Sequence, residues 1–186
     1  MLEGHHSQVY SVAFSQDGQR LASVSDDNVI KVWVTASGSC LQTLEVHGSS
    51  VQLVAFLFYG QWLASRSCDS IVKIWDIALG RCLEVLKGYG RSANSIDFSP
   101  DGQQLASGSG ENVVKIWNSA TGICLRTFKG HSSWVNSVAF SPDGQRLVSG
   151  SNDKIMKIWG MASGNCLQTF IGHDSSVNLV AFSPNG

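Results

Sequence analysis

Tryptophan recurs every 42 residues in this chain, at Trp33, Trp75, Trp117 and Trp159. The same step separates Gly18, Gly60, Gly102, Gly144 and Gly186, and also His5, His47, Tyr89, His131 and His173. A chain written this way repeats one supersecondary unit, and each unit must find its burial partner in the next copy. The clearest copy runs from Gly130 to Ile171 and carries four short strand patterns. They are Val135–Phe140, Arg146–Ser151, Ile155–Trp159 and Cys166–Phe170. Ser141-Pro142-Asp143-Gly144 closes the first with a turn in which Pro presets φ and Gly permits φ above zero. Asn152-Asp153 closes the second, and Ala162-Ser163-Gly164-Asn165 closes the third. Short β-branched and aromatic runs between such turns predict a four-stranded antiparallel meander. One meander cannot bury both of its faces alone.

With Gly-His opening the unit and Trp near its end, the chain resembles the WD-repeat (β-transducin-like) family across essentially all 186 residues. The resemblance implies an all-β fold, a β-propeller of four-stranded blades. Four blades are expected at about residues 9–44, 51–86, 93–128 and 135–170, with a fifth started at 177–186 by one strand, Val177–Phe182. Residues 1–186 are expected to form one propeller or half-propeller domain. The copies have diverged in places. Gln16 replaces the turn Pro of the first, and Val34, Asn118 and Gly160 follow the Trp where the family carries Asp. Only Trp75-Asp76 keeps the literal dipeptide.

The resemblance also implies a hydrogen-bonded set in each blade: His before the first strand, Ser of the second, Asp of the second turn and Trp of the third. Imidazole, hydroxyl, carboxylate and indole N–H satisfy one another in that order. Carried over, the set is His5, Ser23, Asp27 and Trp33 in the first repeat, and His47, Ser65, Asp69 and Trp75 in the second. The fourth has His131, Ser149, Asp153 and Trp159. The third keeps Ser107 and Trp117, but Tyr89 and Glu111 replace the His and Asp. Ser25, Ser67, Ser109 and Ser151 lie two residues further along the same strands, so either Ser of each strand is a candidate.

Ser, His and Asp together invite comparison with a hydrolase. A nucleophilic Ser stands exposed on a strained turn beside an oxyanion hole. Here the trio recurs at strand positions in several blades and no copy is singled out, so no catalytic residues and no enzyme activity are expected. Ser107-Gly108-Ser109-Gly110 precedes no helix and reads as a turn, not a phosphate cradle. Asp17, Asp26 and Asp27 lack the spacing of a calcium loop. Cys40, Cys82, Cys124 and Cys166 sit one per repeat, without C-x2-C spacing. With Cys68 they read as buried or half-buried strand residues, so neither a metal nor any other cofactor is expected.

A net charge of −1 gives no electrostatic reason to expect nucleic acid or an anionic membrane, and no apolar run approaches a membrane span. Gly4-His5 follows Met1-Leu2-Glu3 without a signal-peptide pattern, so a cytoplasmic location is the expectation.

What remains is surface, and WD-repeat propellers mostly bind other proteins through one end of the ring. Trp134 stands there where the other repeats carry Gln8, Ser50, Ser92 and Ser176, so it is either an interaction anchor or packed on the neighbouring blade. Tyr10, Arg91, Asn136, Asp26 and Asn152 share that end. At the opposite end Leu57, Phe58, Tyr59 and Trp62 replace turn polars, as an exposed apolar interface patch or as drift within one blade. An arc of four blades would leave apolar faces open, since propellers close with about four to eight blades. The chain is therefore read as a non-catalytic interaction scaffold that forms a homodimer to complete its ring. Val177–Phe182 would then serve as a clasp on the partner chain. The alternatives are a piece of a multidomain signalling or immune-type receptor, or a small-ligand or glycan binder with repeated pockets.

Overall fold

The computed structural model describes residues 4–45, 48–57, 60–69, 71–86 and 93–186. The described residues hold sixteen β-strands and no helix. The first sheet consists of β1 (Val9–Phe14), β2 (Arg20–Ser25), β3 (Val29–Val34) and β4 (Cys40–Glu45). The second holds β5 (Val51–Leu57), β6 (Trp62–Ser67), β7 (Val72–Asp76) and β8 (Arg81–Leu86). The third holds β9 (Ala93–Phe98), β10 (Gln104–Ser109), β11 (Val113–Asn118) and β12 (Cys124–Lys129). The fourth holds β13 (Val135–Phe140), β14 (Arg146–Ser151), β15 (Ile155–Gly160) and β16 (Cys166–Ile171). Each sheet is antiparallel with its strands in chain order, which is the meander of a propeller blade.

The chain divides into two compact units, Met1–Lys87 with the first two blades and Gly88–Gly186 with the other two. In the first unit Ala22, Val24, Ile30 and Val32 pack on Val51, Val54, Leu63 and Trp75. In the second, Ala106, Val114, Ile116 and Phe128 pack on Val135, Val138, Phe140, Leu147 and Trp159. Each core is thus one blade's face laid on the next blade's first strands. A fully buried Val, Leu, Ile or Phe contributes about 1.5–3 kcal/mol, so these seams carry most of the favourable energy of each unit.

Local chemistry explains the strand ends. Ser15 and Ser99 donate to Asp17 and Asp101 at 2.6 Å, and Asp101 Oδ1 accepts from the amide of Gln103 at 3.0 Å. Gly18, Gly102 and Gly144 close these turns at φ of 66°, 69° and 68°, where a Cβ would be strained. A bulge follows at the start of every first strand. Val135 pairs with Ser151 and Ser137 with Gly150, so Asn136 is the spare residue, as are Tyr10, Gln52 and Asn94. Bulges re-aim a side chain out of the ladder.

Three expectations are corrected. Val177–Phe182 is not a strand: it lies extended on the fourth blade of its own chain, with Val177 and Val180 buried against Val148, and pairs in no sheet. Among the described residues no strand lies beside it to complete a ladder. The cysteines Cys40, Cys68, Cys82, Cys124 and Cys166 are all exposed. Cys40, Cys82, Cys124 and Cys166 begin or nearly begin the fourth strand, the outer edge of each sheet. Leu57 is buried and Trp62 half-buried, so they form no exposed patch. Leu57 pairs with Trp62 and lengthens the β5–β6 hairpin by one rung instead of opening a turn. Phe58 and Tyr59 lie outside the described residues.

Candidate functional site

The fourth blade assembles its polar set completely. Trp159 Nε1 donates to Ser149 Oγ at 2.8 Å, Ser149 Oγ lies 2.7 Å from His131 Nε2, and His131 Nδ1 lies 2.8 Å from Asp153 Oδ2. Indole can only donate and an ionised carboxylate can only accept, so the protons order themselves. His131 carries its proton on Nδ1 toward Asp153 and accepts the Ser149 hydroxyl at Nε2. Burial pushes His131 below its ordinary value, against the pull of Asp153, which suits a neutral imidazole. Burial raises the Asp153 carboxyl, but donation from Ser132 N and His131 outweighs it and the net direction is down.

The first blade repeats the arrangement. Trp33 Nε1 donates to Ser23 Oγ at 2.8 Å, with His5 2.7 Å from Ser23 and 2.9 Å from Asp27. In the second, Trp75 donates to Ser65 at 2.8 Å and Asp69 accepts from Ile71 N, while His47 lies outside the described residues. In the third, Trp117 donates to Ser107 at 2.9 Å and Glu111 turns to Lys115 at 3.6 Å; Tyr89 lies outside the described residues. The earlier Ser of each second strand makes these contacts. In the second and fourth blades the later one holds the loop before the first strand, where Ser67 and Ser151 donate to the carbonyls of Ser49 and Ser133.

Ser149 and Ser65 are fully buried and Ser23 nearly so, and each hydroxyl is engaged with an indole. No substrate reaches such an oxygen. In the first and fourth blades the set fastens the loop before the first strand to its blade. Among the described residues no group of three or more His, Cys, Asp or Glu is placed to hold a metal ion.

The exposed ends differ. Trp134 is 47% exposed, and the backbone N–H of Asn152 donates to its carbonyl at 2.9 Å, so the strand end is fixed while the ring stands in solvent. Asn152 is exposed beside it, whereas Asn136 is occupied, donating to Asn152 Oδ1 at 2.6 Å and to Val177 O at 3.1 Å. In the other unit Tyr10 and Asp26 are exposed; Arg91 lies outside the described residues.

Two apolar faces are also open. Val12 is 58% and Phe14 65% exposed, whereas their counterparts Val138 and Phe140 are 4% and 7% exposed against the third blade. Phe170 of the fourth blade is 36% exposed where Phe128 of the third is 2% exposed. A hollow of about 520 Å³ opens beside it, lined by Val148, Met156, Ile158 and Leu179 among others.

The family model for the WD domain, G-beta repeat, matches residues 1–34, 38–76, 80–118, 122–160 and 164–186. The chain belongs to the WD-repeat family. WD repeats generally form non-catalytic scaffolds that mediate protein interactions, and the buried Ser-His-Asp sets here accord with that architecture. Similar curated proteins include the Vegetative incompatibility protein HET-E-1 of Podospora anserina, 71% identical over 38 residues, 20% of this chain and 3% of that protein. The Ribosome biogenesis protein BOP1 homolog of Dictyostelium discoideum is 51% identical over 43 residues, 23% of this chain and 5% of its own length. Periodic tryptophan protein 2 of Saccharomyces cerevisiae is 46% identical over 41 residues, 22% of this chain and 4% of that protein. Each likeness spans about one WD repeat and a small fraction of a much longer relative.

Asp97 is a residue that the sequence pattern alone did not single out. It stands where the other repeats carry Ala13, Ala55, Ala139 and Ala181, and its Oδ2 accepts from Phe140 N across the seam at 2.7 Å. Burial pushes its carboxyl up to about 6, although Phe140 N and Phe98 N pull it down. An acid at an alanine step of the 42-residue ruler was the available signal.

Proposed function

We propose that this chain is a non-catalytic protein-interaction scaffold, cytoplasmic, which associates with a second copy of itself. The observation that carries the reading is the pair of open apolar faces, one on the first blade at Val12 and Phe14 and one on the fourth at Phe170. At the seam between the third and fourth blades the same positions, Val138, Phe140 and Phe128, are buried, and exposed apolar surface of this kind marks an interface. A homodimer completing one ring would cover both faces at once. Trp134 is the proposed anchor for an outside protein, because a ring standing free on a fixed strand end loses little entropy on binding. Net charge near zero favours a protein partner over nucleic acid or a membrane surface.

Light scattering behind a sizing column tests self-association. A mass of about 40 kDa, twice the 20.0 kDa of one chain, is expected. A mass near that of one chain at all loadings would overturn it.

A second reading has its own support. The 71% identity to a vegetative incompatibility protein covers 3% of that relative, so this chain also fits the repeat region of a long immune-type or signalling protein. Under that reading further repeats cover the open faces, and a longer clone from the source transcript would encode them.

A further inference from the structure

Resting on the self-association proposed above, we propose that β1 of a second copy docks on the fourth blade where Val177–Phe182 lies, so that this segment competes with dimer formation. The support is a recognition surface that the chain uses twice. At the seam between the third and fourth blades, the bulge frees Asn94, whose Nδ2 donates to Val135 O at 3.1 Å. Ser95 Oγ accepts from Val138 N at 3.1 Å. Gly108 leaves room for Val135: a Cβ on it would stand 2.8 Å from Val135 Cγ1.

The far face of the fourth blade repeats all three features. Asn136 Nδ2 donates to Val177 O at 3.1 Å, and Ser137 Oγ accepts from Val180 N at 3.1 Å. A Cβ on Gly150 would stand 2.5 Å from Val177 Cγ1. A carboxamide, a hydroxyl and a bare Cα thus read a strand that begins Val-x-x-Val. They read it once for a whole blade and once for a short segment. The chain has two other such strands, Val9-Tyr10-Ser11-Val12 and Val51-Gln52-Leu53-Val54. Val51 and Val54 are buried in their own unit, whereas Val9 and Val12 are exposed. The free match to the surface is β1.

The segment fills only the place of a first strand. Within residues 1–186 the hollow beside Phe170 stays open next to it. A second copy would bring Phe14 and Leu21 behind Val12, as Phe140 and Leu147 stand behind Val138. The incoming blade has the larger apolar face. The segment has the tether, which for a short connection acts as a local concentration in the millimolar range. Weakening the segment therefore strengthens the dimer.

Sedimentation equilibrium of the full chain and three variants tests this. Val180→Asp expels the segment and is expected to tighten self-association about tenfold or more. Ser175→Asp, at an exposed position just before the same segment, is expected to leave it unchanged. Val12→Asp with Phe14→Asp alters only exposed side chains and is expected to abolish it. Circular dichroism verifies that every variant keeps its sheet. Association lost in the Val12/Phe14 variant but unchanged by Val180→Asp would overturn the competition and leave self-association standing. No association in any chain would overturn both.

Discussion

Ser149 shows how one hydroxyl decides the fit of a blade. It accepts from Trp159 and donates to His131, both buried, so Ser149→Ala strands an indole N–H and an imidazole nitrogen together. A buried unsatisfied group costs about 1–3 kcal/mol, and a loss of about 2–4 kcal/mol in urea unfolding is expected. Ser107→Ala strands the Trp117 indole and removes only a long 3.4 Å bond to Lys115 O, so about 1–2 kcal/mol is expected. Equal losses in the two variants would contradict the difference in the number of stranded groups. Lys154 makes the opposite case. It holds φ of 70° at the second turn, where the first and third blades place Asn28 and Asn112 at 66°. Asn tolerates the left-handed region better than Lys, so Lys154→Asn is expected to raise stability by about 0.5–1 kcal/mol, read as a higher Tm.

At the scale of the strand, the bulge and the glycine beside it join one blade to the next. Gly108→Ala drives a methyl against Val135 Cγ1 and within 3.1 Å of Val135 O, and backbone cannot move aside as a side-chain tip can. A cost of about 1–3 kcal/mol is expected by calorimetry. The corresponding position in the first blade is Val24, fully buried against the second, so that seam has a different fit and Val24→Ala is the control that leaves the second unit untouched. The strands themselves were legible because turn chemistry and a 42-residue ruler marked every boundary. The exposure of the cysteines was not, because Cys is often buried, while position on an outer edge is a property of topology and not of residue type. Nor was the burial of Leu57, because a missing turn signal looks the same whether the hairpin lengthens or the surface turns apolar. Which Ser meets the Trp was illegible, since both lie on one strand face and only the register separates them.

For the whole molecule, two of the groups that shift on folding oppose each other in the pH dependence of stability. The His131 value is lowered in the fold, so its contribution is present above the ordinary value of 6.5 and is lost as pH falls. The Asp97 value is raised to about 6, so its contribution is present below 3.8 and is lost as pH rises through 6. Asp97→Asn keeps an acceptor for Phe140 N without the charge. It is expected to exceed the parent in stability at pH 7 by on the order of 2 kcal/mol, with the advantage gone by pH 4. Denaturant titrations at the two pH values check this, and a pH-independent difference would refute it.

The seam between the third and fourth blades has one further consequence. Its carboxamide, hydroxyl and glycine all belong to one 42-residue period, and the valines they receive open the next. A tandem duplication of such a period would carry both sides of the joint with it. Copy number can then change by recombination without any compensating substitution. The first two periods, with Val24 and Arg66 in place of the glycine, do not share that freedom.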